Sequence, residues 1–445
     1  MENQQSQNRI SRRQFLQIAS ITAAGAALAA CAVPALPAAP DAAAGAASAA
    51  PGAEVQPVRI AVGGWAEQGT KDLLTNTGFT EKTGFPFEVM LRTDTKETEL
   101  ARMASAVQAG NVPYDVLDFE DELATSFSQA GYMRGLDDLL PADFWAEFPD
   151  AMVENHKIWS TYNGELFRVL HNWEMPYWYY RKDWFDEKGV EVPKTWDDVR
   201  ALGPVFTDEA NGVYAQTEGM IKGAFLNVYL AWITLQAGGS PFDVGPEYET
   251  SLQYIHDLLH DDKVLNPASL QKDYNQQNAD YVADKVAFMR QWPFFYDVAR
   301  SEDNKAWFDE SKVQIALPPA GPGGANMLTY AAGWGHGIVK TTPNMAGAEA
   351  LFKHLIDSET AVEAVKTSYW FLSARKPVLE ASEGKGVAGP LKMYSDAGAL
   401  GVRPFHPRFV EALTVIEDTA SAYLTDQITL EQSLAQATDG LAKLG

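Results

Sequence analysis

The chain has 445 residues, about three times a typical domain, so a small disulfide-stapled scaffold is excluded and two lobes or domains are the first expectation. Hydrophobic residues make up 46% and charged residues 21%, the balance of a chain that folds. With 35 Lys and Arg against 59 Asp and Glu the net charge is −24, which sets the protein against nucleic acid as a partner.

The chain opens with Arg9, Arg12 and Arg13 ahead of an apolar run over 18–30 that is too short to span a bilayer as a mature helix. Small residues before a cut site complete the pattern of a signal peptide over 1–31. Ser11-Arg12-Arg13-Gln14-Phe15-Leu16 resembles a twin-arginine export signal, with Gln17 where Lys is usual. Leu28-Ala29-Ala30-Cys31 resembles a bacterial lipoprotein box, in which the Cys thiol receives lipid. Cys31 is the only cysteine, so no intramolecular disulfide competes for it. The expected product is an extracytoplasmic lipoprotein of the cell membrane. Residues 32–56 are almost all Ala, Pro, Gly and Ser, and Pro34, Pro37, Pro40 and Pro51 interrupt any helix. Such a segment reads as a disordered tether, reaching about 80 Å when fully stretched.

Beyond the tether, 58–62 reads as a strand ended by Gly63-Gly64, then 70–83 as a helix and 85–91 as a second strand. The next helix, 96–108, carries Leu100, Met103, Ala104 and Val107 on one face, and 116–119 follows as a third strand. Strand-helix alternation of this kind predicts an α/β lobe with right-handed crossovers. The stretch 166–180 is dense in aromatic and β-branched residues, and Thr195 is placed to cap the helix that follows it. Helices dominate to residue 297, with 226–237 and 249–260 the clearest. Strands are expected at 313–317 and 337–340 around a Pro/Gly loop at 318–326. Helices are expected at 345–356 and 360–368, and the tail 406–444 reads as helical.

Catalytic signatures are mostly absent: there is no Walker A loop, no G-x-S-x-G elbow and no H-E-x-x-H helix. Gly333-Trp334-Gly335-His336-Gly337 is too short in spacing for a dinucleotide fingerprint, and no cofactor is expected. His256 and His260 have the i,i+4 spacing of metal ligands, but Asp257, Asp261 and Asp262 beside them read as a solvated helix end, and no metal site is assigned. Glu120, Asp121 and Glu122 follow directly on the third strand, where ligands of open α/β sheets sit. Trp65 and Glu67 hold the matching place after the first strand. Three acidic residues in such a turn also suit the helix dipole.

The twelve tryptophans are the most informative feature, because several stand beside polar groups and not inside apolar runs. Trp173 lies between Asn172 and Glu174, Trp292 follows Arg290 and Gln291, and Trp334 is flanked by glycines. Sugars present apolar C–H faces with a rim of hydroxyls, so their sites need flat aromatic platforms beside carboxylates, amides and guanidinium groups. Any single Trp is more often core than platform, and Trp145, Trp159, Trp184 and Trp307 read as packing residues.

Several ordered stretches carry a family resemblance. They are Pro113-Tyr114-Asp115-Val116-Leu117 with Gln129 to Leu140, Tyr179-Tyr180-Arg181-Lys182-Asp183-Trp184-Phe185 with Pro193-Lys194-Thr195-Trp196-Asp197, Ala332-Gly333-Trp334-Gly335, and Leu372-Ser373-Ala374-Arg375-Lys376. From Val58 onward the chain resembles the extracellular solute-binding proteins of carbohydrate ABC importers, of the maltodextrin-binding-like, family 1 type. Arg181, Ala332 and Ser373 depart from the usual Asn, Gly and Pro.

The resemblance implies an α/β, two-lobed periplasmic-binding-protein-like fold, each lobe a β-sheet flanked by helices, with a multi-crossing hinge. The first lobe is expected from 57–168 plus 317–357 and the second from 169–316 plus 358–445. Carried over residue by residue, the ligand contacts are Trp65, Phe119, Glu120, Asp121, Asn172, Trp173, Glu174, Trp292, Trp334 and Arg375, with Glu67 added from its place in the first turn. The implied protein is a monomeric receptor, not an enzyme, whose partners are a carbohydrate, the membrane subunits of an ABC importer and the membrane that holds its lipid anchor. Two other readings stay open: a secreted glycoside hydrolase, which also pairs carboxylates with Trp platforms, and a receptor for a polyamine-like cation.

Overall fold

The computed structural model describes residues 55–92, 96–173, 175–324, 326–382 and 388–445. The signal segment with Cys31, the tether through residue 54, and Glu174 lie outside the described residues. In chain order the strands are β1 (Val58–Val62), β2 (Phe87–Leu91), β3 (Val116–Glu120), β4 (Thr161–Tyr162), β5 (Glu165–Leu166), β6 (Val169–Leu170), β7 (Tyr177–Tyr180), β8 (Tyr214–Gln216), β9 (Val286–Gln291), β10 (Gln314–Ala316), β11 (Thr329–Ala331), β12 (Trp334–Ile338) and β13 (Leu400–Val402).

β1 and β3 are buried along almost their whole length, as strands covered on both faces by helices must be. They stand in a five-stranded sheet of order β2-β1-β3-β12-β6, in which β1 runs parallel to β2 and β3, and β12 enters antiparallel between β3 and β6. The second sheet has the order β10-β7-β9-β8, with β7 antiparallel to both neighbours and β8 parallel to β9. The chain leaves the first sheet after β6, builds the second, and returns in β12. It goes back again beyond the helix Lys376–Ser382, where Tyr394 donates to Ala316 O and accepts from Trp178 N. This is the two-lobed α/β architecture expected above.

β7 shows how the lobes share a core. Tyr177 and Tyr179 join a cluster that includes Val58, Leu170 and Trp173, while Trp178 points the other way and stacks on Phe288 at 4.6 Å inside the second lobe. β12 can lie between its neighbours only because Gly335 and Gly337 carry no Cβ: one added at Gly335 would sit 2.5 Å from Val169 O, and one at Gly337 2.7 Å from Phe167 O. Close backbone approach thus explains a glycine-rich strand that the sequence places later, at 337–340.

Other differences have local causes. The helix expected over 70–83 is two, Glu67–Asn76 and Phe79–Thr83, divided at Gly78 in the left-handed region with φ +65°. The helix Ser358–Thr367, capped by Asp357, packs on Glu67–Asn76, and Lys376–Ser382 packs on it in turn, so this stretch lies with the first sheet and not with the second lobe, where residues from 358 onward were expected. Conversely, β11 pairs with β13, Tyr330 belongs to the second core, and Ala320 bridges to Thr195. Thus 320–331 sits with the second lobe, although 317–357 was expected in the first. Thr195 does cap its helix, in a reciprocal capping box with Asp198. Among the described residues no helix is long and apolar enough to cross a membrane.

Candidate functional site

The carboxyl ends of the first sheet's strands gather one group of side chains. After β1 the Gly63-Gly64 turn leaves Trp65 exposed at the start of the helix Glu67–Asn76. β3 ends at Glu120, and the antiparallel register of β12 sets Trp334 directly opposite it. The rings of Trp65 and Trp334 meet edge to face at 5.3 Å, and Trp370 closes a triad at 6.0 Å from the first and 5.2 Å from the second. Arg92, the residue after β2, lays its guanidinium 4.5 Å over the Trp334 ring and pairs with Glu120 at 2.9 Å. Among the described residues, the Trp370 indole N–H and Arg92 Nε are buried donors without a hydrogen-bond partner. Such donors are what a hydroxylated ligand satisfies.

Behind the rim lies a layer of arginine-carboxylate pairs. Asp121, fully buried, accepts from Arg168, which also donates to Phe119 O at 3.1 Å and Gly333 O at 3.3 Å, so the pair fastens the ends of β3 and β12 together. Glu122 accepts from Arg403, and the same guanidinium donates to Asn227 Oδ1 at 3.2 Å. Asn227 is held in turn by Glu417, which accepts from its backbone N–H at 2.8 Å and its amide at 3.0 Å. Glu122 belongs to the first lobe and Asn227 and Glu417 to the second, so Arg403 ties the lobes directly.

The second lobe contributes a buried Arg290, 1% exposed, lying against the rings of Tyr229 and Trp232 at 5.4 and 5.0 Å and 3.5 Å from Glu218. Its three guanidinium nitrogens have no hydrogen-bond partner among the described residues. Glu218 instead accepts from the Arg290 backbone N–H, Gln216 and Gln277, and burial pushes its carboxyl up to about 7 against the pull of Arg290. Trp292, half-buried, meets Tyr330 at 6.2 Å.

The structure thus brings Trp65, Glu120 and Trp334 together and sets Asp121 just behind them. Glu67 is turned to Lys71 at 2.5 Å, one helical turn on. Phe119 and Trp173 are fully buried: the first packs on Phe127 at 5.4 Å and the second lies in the core shared by the lobes. Asn172 acts from below, its Oδ1 accepting from Trp334 N at 2.7 Å. Trp292 stands on the second lobe. Arg375 is engaged elsewhere: it donates to Glu147 at 2.6 Å and Ile356 O at 2.8 Å and lies over Phe144 and Phe148 at 5.3 Å each, because its helix packs with the first lobe. Arg92, Trp370 and Arg403 are not singled out in the sequence, and Arg290 is noted there only as a polar neighbour of Trp292. For Arg92 the signal available is its position at the end of a predicted strand.

Two sheets in this topology, joined by repeated crossings and carrying an aromatic rim on one lobe and a charged seam between both, define a two-lobed solute receptor. The chain belongs to the family of bacterial extracellular solute-binding proteins, whose family model matches residues 93–362. It is similar to the "Probable ABC transporter-binding protein" of Deinococcus radiodurans, 27% identical over 245 residues that make up 51% of this chain and 55% of the relative, so the chain spans about half the length of that curated relative. Its fold is that of the maltose-bound MalE3 of T. maritima, with TM-score 0.74, 22% identity, and coverage of 88% of this chain and 100% of that one. It is also that of an ABC transporter solute-binding protein of Thermotoga lettingae bound with alpha-D-tagatose, with TM-score 0.73, 19% identity, and coverage of 87% and 99%.

Proposed function

We propose that this protein is a monomeric, lipid-anchored extracytoplasmic receptor that closes its two lobes around a sugar or oligosaccharide and delivers it to the membrane subunits of an ABC importer. The observation that carries the reading is the triad of Trp65, Trp334 and Trp370 beside the Arg92–Glu120 pair, which offers ring faces and charged hydrogen-bonding groups in one place. The sugars named for the structures of similar fold, maltose and alpha-D-tagatose, agree with that chemistry. Ligand would contact both lobes only when they close, so binding favours the closed form by its difference in affinity for the two. The Arg403 tie between Glu122 and Asn227 belongs to such a closed form.

Neither competing reading gains from the site. A glycosidase needs one carboxyl protonated and one ionised across a bond, whereas Glu120, Asp121 and Glu122 are each paired with an arginine. A cation cage is poorly served by four arginines around the same seam. The test is a thermal-shift screen of mono- and oligosaccharides followed by small-angle scattering with the best ligand. A raised melting temperature with a smaller radius supports the receptor; a hit that is hydrolysed, or one that leaves the radius unchanged, overturns it.

A further inference from the structure

The helix Pro246–His260 of the second lobe ends with His256 and His260 one turn apart, against the end of the helix Phe409–Leu424. Two residues past that second helix, Asp426 reaches back to both. Its Oδ1 lies 2.9 Å from His256 Nε2 and its Oδ2 3.8 Å from His260 Nδ1. We propose that His256, His260 and Asp426 form a binding site for a divalent transition-metal ion of the zinc or nickel type.

Three features carry the inference. The first is convergence: one ligating atom from each residue lies within 4.8 Å of the other two. A tetrahedral ion with bonds of about 2.0–2.1 Å sets its ligand atoms roughly 3.3 Å apart. The two oxygens of Asp426 stand one to each ring, 2.9 Å from His256 Nε2 and 3.8 Å from His260 Nδ1, so a turn of the carboxylate would bring one oxygen to both nitrogens. The second is tautomer. His260 Nε2 lies 3.0 Å from Leu424 O, and a carbonyl only accepts, so that nitrogen bears the proton and Nδ1 turns its lone pair toward Asp426. The His256 ring is stacked on Tyr423 at 4.8 Å, its Nδ1 buried, which leaves Nε2 as the outward donor. The third is access and charge: the side chains of His256, His260 and Asp426 are 18%, 34% and 66% exposed, so an ion enters from solvent and keeps water in its remaining positions.

Two imidazoles and a carboxylate suit zinc, nickel or copper better than magnesium or calcium. To take the metal at Nε2, His256 carries its remaining proton on Nδ1: a neutral ring moves its proton there from Nε2 with none released, and an imidazolium gives its Nε2 proton to solvent. The ion would pin together two helix ends of the second lobe, while the tryptophan triad stands on the first.

The untagged, chelator-stripped full chain is titrated with zinc chloride and with nickel chloride by calorimetry and thermal melting, and with magnesium chloride as a hard-ion control. One ion per chain and a melting temperature that rises and falls back with EDTA are expected. His260→Ala and Asp426→Asn should each weaken binding by about tenfold or more. Cobalt supplies a readout independent of stability, the visible bands of a tetrahedral nitrogen-oxygen site, which both variants should lose. No binding, equal binding by magnesium, or undiminished binding by either variant would overturn the site and leave the His256–Asp426 hydrogen bond as a plain tie between helices.

Discussion

Trp65 separates a platform from a core residue more cleanly than any other position. It is 55% exposed, meets Trp334 at 5.3 Å and Trp370 at 6.0 Å edge to face, and lies over Gly63. An aromatic pair contributes about 0.5–1.5 kcal/mol, and exposure keeps both contacts toward the low end, so Trp65→Ala should cost the ligand-free protein roughly 1–2 kcal/mol. Trp173, with no exposed surface, sets the contrast: truncation there should cost about 3–5 kcal/mol. In binding the order reverses. If Trp65 stacks on a sugar face, its removal costs about 2 kcal/mol of affinity, close to 30-fold in Kd. Urea melts of the ligand-free proteins and calorimetry with the best sugar from the screen read the two quantities separately. Unchanged affinity in Trp65→Ala, or a stability loss matching that of Trp173→Ala, would refute the reasoning.

Trp334→Ala should lose affinity as Trp65→Ala does but cost more stability, since it also removes the ring under Arg92; equal melting curves for the two variants would contradict this. Arg375→Met should cost about 2–4 kcal/mol of stability through its lost bonds to Glu147 and Ile356 O while leaving sugar affinity unchanged in calorimetry. Buried Glu218 on one side and buried His156 and His336 on the other push stability in opposite directions with pH. Glu218, raised from 4.5 to about 7, holds its proton more tightly folded than unfolded, so its contribution is lost as pH rises through 7, and Glu218→Gln should gain on the wild type there in paired urea melts. His156 and His336 are pushed by burial from 6.5 down to about 3, so the unfolded chain takes up protons first and stability falls as pH drops below 6.5. Their ring resonances should stay unmoved through the ordinary histidine range. Cys31→Ser should free the protein from membranes without altering the melting temperature of the folded part, and persistence in a high-salt membrane fraction would dismiss the lipid anchor.

What could be read in advance follows from the range of each signal. β1, β3 and the cap at Thr195 are local: short runs rich in apolar residues, the first ended by Gly63-Gly64, and a threonine three residues before an aspartate announce themselves within a few positions. The placement of Trp65 and Glu120 is legible the same way, since a residue just past a parallel strand stands at the sheet's carboxyl edge. Arg375 misled because its surroundings come from Glu147, 228 positions away, and no local pattern distinguishes an arginine aimed at ligand from one aimed at a distant carboxylate. The same blindness hid Asp426 from the His256 and His260 pair, 170 positions before it in the case of His256.

The seam between the lobes is the extreme case. Glu122, Asn227, Arg403 and Glu417 come from four separate segments, with 281 positions between Glu122 and Arg403 alone. Each is unremarkable in its own stretch: Glu122 reads as a helix-dipole residue, and Glu417 as a polar position on an amphipathic helix. Glu417 holds Asn227 within the second lobe, whereas Arg403 reaches from Asn227 to Glu122 on the first, and burying such a charge without a partner costs several kcal/mol. In the proposed receptor, opening would break the Arg403 tie and closing would restore it. The ligand would then have to supply only the remaining difference in free energy between the two forms.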